Sequence, residues 1–355
     1  MSEFGLVRAP ALASATVLRD EAFRLDLERQ QRSWPTARVV VLDEESRSPV
    51  ALPAPPRARQ PPQAGGPPGA SPRVAAAADT AARLVTCLGG SLAEAPPAGA
   101  VLLGEADGTV YWAARVASTD EIVAAPGANG AAGGGVRTRW LNLNGIGGEL
   151  TGVDAALYTT ALALLTWHDR AGFCARDGSP TRPAKAGWAR VCSAQGHEEF
   201  PRTDPAIICL VHDGADQLLL GRQGTWPAAR FSVLAGFVEA GESLEACVAR
   251  EIHEEVGVDV TDVRYLGSQS WPFPRSLMLA FHAVADPSQP IRLADEIVEA
   301  VWVERGDLEE ALRRGDWRRG EGGPLLLPGG SSIARTMIES WVASREPVVG
   351  SRGCT

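Results

Sequence analysis

The sequence of 355 residues predicts an α+β protein of two or three domains. Short runs of aliphatic and β-branched residues predict strands, and longer runs with apolar residues four apart predict helices. The clearest helix, 243–256, lacks glycine and proline and places Leu244, Val248, Ile252 and Val256 on one stripe. Ser243 at its start and Gly257 just after it are suited to cap its two ends.

Residues 1–150 are expected to form an α/β amino-terminal domain. Its strands are predicted at 38–42, 100–103 and 110–113. Residues 52–72 are dense in proline, alanine, glycine and arginine, which predicts a flexible loop. Residues 127–135 are glycine-rich but lack the strand-loop-helix frame of a phosphate-binding loop, so we expect an ordinary loop there.

The remaining chain is divided into a connecting helix at 151–172, a segment at 173–204, a domain at 205–345 and a tail at 346–355. Within the domain, two strands flank an Asp213-Gly214 turn, which predicts a hairpin. Strands are expected at 206–211, 217–220, 263–266, 277–285 and 300–303, and further helices at 307–314 and 332–343.

Residues 236–258 carry a dense pattern of required residue types. They fit G-x5-E-x7-R-E-U-x-E-E-x-G-U, where U is a bulky aliphatic residue, at every fixed position. At average residue usage, a chance match is expected about once in several billion windows. The pattern therefore indicates a function that needs these residues together.

Three carboxylates of this pattern, Glu251, Glu254 and Glu255, lie at i, i+3 and i+4 and therefore share one helix face. Like charges at this spacing destabilise a helix by roughly a few tenths of a kcal/mol per pair, so we expect cations to neutralise them. Carboxylate oxygens suit Mg²⁺ or Mn²⁺, which also bridge phosphate oxygens.

A solvated helix face with ordinary glutamate-arginine pairs would explain the charge alone. A solvated face would not require glycine at 236 and 257, and it would not require the seven-residue gap between Glu242 and Arg250. Arg250 is expected to orient Glu242 or one of the clustered carboxylates with its planar fork of donors. The small residues at 234–241 allow a close backbone approach, so the carbonyl of Ala235 is a further candidate metal ligand.

The string is that of the Nudix box, and the chain resembles the Nudix hydrolases. The resemblance implies an α/β/α sandwich in which the carboxylate helix packs on a mixed sheet. It also implies metal-assisted hydrolysis of a diphosphate linkage. By resemblance, Glu251, Glu254, Glu255 and the Ala235 carbonyl hold the metal, and Arg250 supports them.

Residues 268–278 resemble the S-Q-P-W-P-F-P-x-S-L-M signature of the NADH pyrophosphatase branch, with Ser270 at a position where the branch usually has proline. Its tryptophan, phenylalanine and prolines predict a stiff apolar wall for an aromatic ring and disfavour a regular strand. A surface loop whose aromatic residues fill the core is the alternative. The substrate contacts expected here are Gln269, Ser270, Trp271, Pro272, Phe273, Pro274, Arg275 and Ser276, and Phe237 is expected to stack on a base.

Downstream residues extend the resemblance. Glu296, in the acidic segment before the strand at 300–303, matches an additional metal-binding glutamate of the branch. Ala334, at the start of the last helix, matches a position whose backbone lies near the substrate. Phe200 stands where the branch tends to have a tyrosine, so stacking on substrate is expected without a hydroxyl contact.

Members of this branch carry a zinc ribbon with two C-x-x-C pairs, and here only one thiol of each pair remains. A zinc site built from Cys174, Asp177, Cys192 and His197 is chemically allowed, with His197 replacing Gln195. The alternative is a metal-free remnant held by packing. The resemblance also implies a homodimer.

Composition bounds the remaining possibilities. The net charge of −9 argues against a surface that coats nucleic acid, although binding one capped RNA end would not need such a surface. The six cysteines lack the spacing of a secreted scaffold and fit a reducing compartment. No signal peptide or membrane-spanning run is predicted, so we expect a cytoplasmic protein.

The expected reaction is hydrolysis of NADH or NAD to nicotinamide mononucleotide and AMP, with Glu255 or Glu296 accepting the proton of the attacking water. By resemblance, the same chemistry extends to removing NAD caps from RNA. The alternatives are another Nudix substrate, such as ADP-ribose or a dinucleoside polyphosphate, and a non-catalytic nucleotide sensor. Sensor domains commonly lose the carboxylates that this chain keeps.

Overall fold

The computed structural model describes residues 5–13, 17–53, 81–116, 137–317 and 323–344. The chain divides into two compact units. The amino-terminal unit comprises Ala15–Pro201, and the carboxyl-terminal unit comprises Met1–Ser14 with Arg202–Thr355.

Some predicted segments lie outside the described residues. These are the loop at 127–135, the tail at 346–355 and most of the loop at 52–72, of which only Leu52 and Pro53 are described.

Sheets and short helices build the amino-terminal unit. Its helices are α1 (Glu21–Leu25), α2 (Leu27–Ser33), α3 (Gly89–Leu92), α4 (Leu143–Ile146) and α5 (Gly152–Arg170). Its first strands are β1 (Arg38–Leu42), β2 (Arg47–Leu52), β3 (Arg83–Leu84), β4 (Cys87–Leu88), β5 (Val101–Ala106), β6 (Thr109–Arg115) and β7 (Arg137–Asn142). They form one sheet of order β4-β1-β6-β5 and one of order β3-β2-β7.

The first of these sheets carries a tightly packed aromatic core. Trp34 and Trp112 are fully buried and meet edge to face with ring centroids 5.6 Å apart. Thr151 caps the connecting helix α5, because its hydroxyl accepts the backbone N–H of Asp154, and the helix packs on β1, β5 and β6. The expected α/β character of this unit is confirmed.

A small antiparallel sheet of order β10-β9-β8 ends the amino-terminal unit. Its strands are β8 (Thr181–Ala184), β9 (Ala189–Cys192) and β10 (Glu198–Glu199).

The carboxyl-terminal unit is built around one mixed sheet of order β14-β15-β11-β12-β16, with β13 paired to β11. Its strands are β11 (Asp204–His212), β12 (Gln217–Gln223), β13 (Leu234–Phe237), β14 (Thr261–Trp271), β15 (Ser276–Val284) and β16 (Ile297–Glu304). Its helices are α6 (Leu244–Val256), α7 (Arg305–Arg314) and α8 (Ile333–Ala343). Only β11 and β15 run parallel within this described sheet.

Alternate residues of β11 face two different cores. Ile207 and Cys209 join the core under α6, whereas Ile208 and Leu210 join the core under α7 and α8. The sheet is therefore covered by helices on both faces, which confirms the predicted α/β/α sandwich.

Helix α6 ends where the sequence predicts. The hydroxyl of Ser243 accepts the backbone N–H of Ala246 at 3.2 Å, and Gly257 adopts the left-handed conformation with φ 70°. A Cβ at Gly257 would lie 2.8 Å from the Cβ of Arg292, so this position requires glycine for space as well as for conformation.

The chain's first described residues pack on the carboxyl-terminal unit. The backbone N–H of Val7 donates to the hydroxyl of Ser340 in α8, and Arg8 pairs with Glu339 at 2.7 Å. Leu6 packs against the core under α8 and lies next to Gly267 of β14. Residues 5–13 therefore belong to this unit although the sequence prediction placed them in the other domain.

The signature segment departs from its predicted conformation. We expected its aromatic residues and prolines to disfavour a regular strand, but β14 continues to Trp271, which pairs directly with Ser276 of β15. Both prolines lie in the intervening turn, where no strand partner needs their missing N–H. The predicted hairpin at Asp213-Gly214 is present between β11 and β12.

A buried histidine pair lies at the end of β11. The Nδ1 atom of His212 accepts the backbone N–H of Gly214 at 3.0 Å, so the ring proton is on Nε2, which lies 3.3 Å from Nδ1 of His282. Burial, and then the neighbouring His282, lowers the pKa of His212 to about 4. The folded protein therefore favours the neutral ring.

This pair makes stability fall with acidification. An unfolded histidine titrates near its ordinary pKa of 6.5, so between about pH 6.5 and 4 the unfolded state binds more protons and gains free energy relative to the folded state. We expect the unfolding free energy to lose about 2 kcal/mol from this group between pH 7 and pH 5.

Replacement His212→Asn keeps an acceptor for Gly214 and removes the titration. Chemical denaturation at pH 7 and pH 5 should show a smaller loss of stability in the variant, by about 2 kcal/mol. Above pH 7 the two proteins should have parallel pH profiles. Equal losses at pH 5 would contradict the assignment.

Candidate hydrolase site

Sheet register brings the start of the carboxylate segment and the signature segment to one end of the sheet. Phe237, Ala206, Met278 and Gln269 pair in sequence across β13, β11, β15 and β14. Phe237 and Gln269 are therefore three strand spacings apart, a distance of about 14 Å. Two segments that lie more than thirty residues apart in sequence therefore border the same region.

Two adjacent residues of β13 face opposite sides of the sheet. Gly236 pairs with Ile207 and faces α6, whereas Phe237 pairs with Ala206 and faces the side of α8. Phe237 is 59% exposed, so its ring is accessible for stacking. The carboxylates and the exposed ring thus flank the end of one short strand.

The side chain of Glu251 occupies the space above Gly236. A Cβ at position 236 would lie 1.9 Å from the Cδ atom of Glu251 and 2.1 Å from one of its carboxylate oxygens. Any larger residue would therefore displace the carboxylate. This contact explains why the pattern requires glycine at a position whose backbone is ordinary strand.

Arg250 binds several acceptors at once. Its guanidinium donates to both oxygens of Glu242 at 2.8 Å, to Glu251 at 3.0 Å, to Glu254 at 2.9 Å and to the carbonyl of Phe237 at 3.0 Å. This environment holds the pKa of Glu242 well below its usual range, chiefly through the Arg250 hydrogen bonds. The hydrogen bonds from Arg250 thus orient the carboxylates of Glu251 and Glu254.

Glu255 lies beneath the other carboxylates. It is only 7% exposed, and burial, followed by the charges of Glu251 and Glu296, raises its pKa to about 8, although a backbone hydrogen bond from Ala235 opposes the rise. Among the described residues, its Oε2 atom has no hydrogen-bond partner. Burial also raises the pKa of Glu251.

Glu296 is carried to this cluster by the segment before β16. The N–H of Arg292 donates to the carbonyl of Val256 at 2.8 Å and that of Ala294 to the carbonyl of Glu255 at 3.2 Å, which ties the segment to the end of α6. Glu296 and Glu254 are exposed, whereas Glu255 is buried. Crowded carboxylates with an unpartnered buried oxygen fit a divalent cation.

Some residues of the signature segment make aromatic ring contacts, and others hold the segment in place. Trp271 and Phe273 meet edge to face with centroids 4.9 Å apart, and Arg275 pairs with Asp204 at 2.8 Å. Pro272 and Ser276 are buried, Pro274 is exposed, and Ser270 pairs with Leu277. The sequence gives no signal for Asp204, because its partner becomes adjacent only when β11 and β15 pair.

Gln269 is 1% exposed and fixes the start of α8. Its amide nitrogen donates to the carbonyl of Ser331 at 3.0 Å, and its oxygen accepts the N–H of Ile333 at 2.7 Å. Ala334, the next residue, is also buried, and Ser332 caps the helix. Both ends of the Gln269 amide are committed to backbone, which makes this residue a support for the helix start.

Four side chains of the amino-terminal unit converge at two tight turns. Ligand atoms of Cys174, Asp177, Cys192 and His197 all lie within 4.8 Å of one another. The thiol of Cys174 is 3.5 Å from Nδ1 of His197, and the thiol of Cys192 is 3.4 Å from an oxygen of Asp177. Gln195 contributes only its backbone N–H, to the thiol of Cys192 at 3.4 Å.

Phe200 lies in the same unit and is 58% exposed, with the ammonium of Lys185 5.3 Å from its ring centroid. Its contact with substrate stays a prediction. None of the helices in the described ranges is both long and apolar enough to cross a membrane.

Three protein families match consecutive parts of the chain. The NADH pyrophosphatase-like rudimentary NUDIX domain matches residues 37–167, the NADH pyrophosphatase zinc ribbon domain matches residues 169–200, and the NUDIX domain matches residues 202–322. The fold, the carboxylate cluster and these matches together define a hydrolase of the Nudix class.

Two related proteins indicate the branch of the Nudix hydrolases. NAD-capped RNA hydrolase NudC of Mycobacterium tuberculosis strain H37Rv is 45% identical over 343 residues, which are 96% of this chain and 97% of the relative. The mitochondrial NAD(P)H pyrophosphatase NUDT13 of Mus musculus is 42% identical over 204 residues, 56% of this chain and 57% of the relative. The chain belongs to the NADH pyrophosphatase branch of the Nudix hydrolases.

Gly236→Ala tests the packing beneath Glu251. The new methyl group must displace the carboxylate, and because the displaced atoms are the far end of a side chain, the fold should tolerate it. We expect Mn²⁺ affinity, measured by calorimetric titration, to fall about 10- to 100-fold. Gly306→Ala, where a Cβ meets nothing within 4 Å, is the matched control and should bind Mn²⁺ normally. Normal affinity in both variants would contradict the role of Gly236.

Proposed function

We propose that this enzyme hydrolyses the pyrophosphate of NADH and NAD to nicotinamide mononucleotide and AMP, and that it removes NAD caps from RNA 5′ ends. The observation that carries the proposal is the carboxylate cluster of α6, which lies at the same end of the sheet as the signature segment. The relatives named for NAD-capped RNA hydrolysis and for NAD(P)H pyrophosphatase activity support the choice of substrate.

The metal-binding role is assigned to Glu251, Glu254, Glu255, Glu296 and the Ala235 carbonyl. These residues would hold Mg²⁺ or Mn²⁺, whose charge would neutralise the diphosphate and make the attacking water more acidic. Arg250 keeps Glu251 and Glu254 in place through its hydrogen bonds. Most of the rate enhancement then comes from charges that are already oriented before the reaction begins.

The proton of the attacking water would pass to an ionised carboxylate, with Glu255 and Glu296 as the two candidates. A bound cation would favour the ionised form of the buried Glu255. Water adds to one phosphorus atom, and the bond from that phosphorus to the bridging oxygen breaks. The exposed Phe237 ring is suited to stack on a base, while Trp271 and Phe273 form an apolar wall. Gln269 contributes by holding the start of α8, and the backbone at Ala334 is placed by that contact.

Product analysis by mass spectrometry tests the proposal. NADH, NAD, NAD-capped RNA, ADP-ribose and diadenosine polyphosphates are compared with and without Mn²⁺. We expect metal-dependent release of AMP and nicotinamide mononucleotide from the free dinucleotides, and of monophosphorylated RNA from the capped substrate. Ser270 departs from the proline of the branch signature, and a preference for ADP-ribose or dinucleoside polyphosphates would overturn the choice of substrate.

Glu255→Gln removes a metal-binding carboxylate from the buried cluster and should lower turnover about 100- to 1000-fold. The fold should persist, because glutamine nearly matches glutamate in size and places no charge in the buried position. Glu245→Gln, on the exposed first turn of the same helix, is the control and should leave turnover unchanged. Near-normal turnover of Glu255→Gln would contradict the assignment of the carboxylate cluster as the catalytic site.

We also propose that Cys174, Asp177, Cys192 and His197 bind one zinc ion. Two thiols, a carboxylate and an imidazole are accepted zinc ligands, and their convergence supports a four-ligand structural site. The geometry favours His197 over Gln195 as the fourth ligand, since only the histidine side chain joins the cluster.

Metal analysis by mass spectrometry should find about one zinc per chain in the purified protein. His197→Ala should lose most of it, and Gln195→Ala should retain it. Absence of zinc from the unmodified protein, or equal zinc in both variants, would contradict this ligand set.

A homodimer and a cytoplasmic location complete the proposal. The branch resemblance supports the dimer, which sedimentation velocity would detect as twice the chain mass. No disulfide joins the described cysteines, Cys87, Cys174, Cys192, Cys209 and Cys247, which supports a reducing compartment such as the cytoplasm. Cell fractionation would contradict the location if the protein were recovered elsewhere.

A further inference from the structure

A pair of tryptophan rings lies outside the site described above. Trp226, in the loop between β12 and β13, and Trp317, just after α7, have ring centroids 4.8 Å apart at an interplanar angle of 57°. Trp317 is fixed, because its indole N–H donates to the carbonyl of Leu326 at 2.7 Å. Trp226 is half-buried between exposed neighbours, Thr225 and Pro227.

A positive charge lies beside this pair. The guanidinium of Arg230 is 6.0 Å from the Trp317 ring centroid and donates to the Trp317 carbonyl at 3.0 Å. The nearby Arg222 and Arg314 pair with carboxylates. In the described part of the chain Arg230 forms no ion pair, so its charge remains available to an anion.

The loop that carries Trp226 starts at the carboxylate site. The backbone N–H of Gly224 donates to the carbonyl of Glu296 at 3.3 Å, and Gln223 pairs with Ile297. Trp226 follows two residues after Gly224, and its own N–H bonds to the carbonyl of Gln223. A chain extending from a substrate held at Glu296 would therefore meet this pair early.

We propose that Trp226, Trp317 and Arg230 form a binding platform for the unpaired RNA nucleotides that follow the NAD cap. Aromatic faces bind unpaired bases by stacking with little regard to sequence, and an adjacent arginine adds contacts to a base or a phosphate. This inference rests on the proposed function, because a free dinucleotide has no nucleotides beyond its adenosine. The platform thus distinguishes capped RNA from free NADH.

Steady-state kinetics of Trp226→Ala with NADH and with an unpaired NAD-capped oligoribonucleotide test the platform. One lost stacking contact should lower kcat/KM for capped RNA about 5- to 100-fold, and kcat/KM for NADH should stay within about twofold. Trp226→Phe keeps an aromatic face and should retain most of the activity on capped RNA. Tyr265→Ala, an exposed aromatic residue elsewhere in the same unit, should affect neither substrate.

Equal losses on both substrates, or no loss on capped RNA, would overturn the platform and assign Trp226 to loop packing. A second measurement does not depend on turnover. The same oligonucleotide carrying a fluorophore is titrated with Glu255→Gln and with Glu255→Gln combined with Trp226→Ala. Weaker binding in the double variant supports the platform even if the unmodified enzyme prefers another dinucleotide, and equal binding overturns it.

Discussion

The geometry of the site depends on the hydrogen bonds that the Arg250 guanidinium donates. One planar, permanently charged group binds Glu242 in the loop before α6, Glu251 and Glu254 on the helix, and the carbonyl of Phe237 at the end of β13. The loop, helix and strand are therefore held by one side chain. Without this charge, carboxylates at helical spacing would repel one another and turn away from their common centre.

The second constraint is the space between β13 and α6. Because Gly236 has no side chain, Glu251 lies directly on the strand backbone, and Phe237 can occupy the opposite face one residue later. The position above which the Glu251 carboxylate lies and the exposed Phe237 ring are thus neighbours along β13, on opposite faces of the sheet.

Local patterns were sufficient to predict the parts of the site that lie within one element. Helix α6, its caps at Ser243 and Gly257 and its shared carboxylate face follow from spacing alone, since helical geometry fixes which residues are neighbours. Glu296 was found only through the family pattern, because its approach to Glu255 depends on backbone bonds from residues 292–294.

Contacts between distant segments could not be predicted. The commitment of Gln269 to the start of α8 requires two elements more than sixty residues apart to meet, and no local pattern indicates that. Prolines led to a wrong prediction at Trp271, because composition does not reveal that both prolines lie in a turn. His197 and Gln195 were distinguishable only once the two turns were placed together.

The packing of residues 5–13 on α8 has a consequence for how the protein is made. Val7 is synthesised 333 positions before its partner Ser340. Until α8 emerges from the ribosome, residues 5–13 lack the surface on which they finally pack. Closing so long a loop costs little more entropy than closing a loop half as long, so the delay is a matter of time rather than of stability.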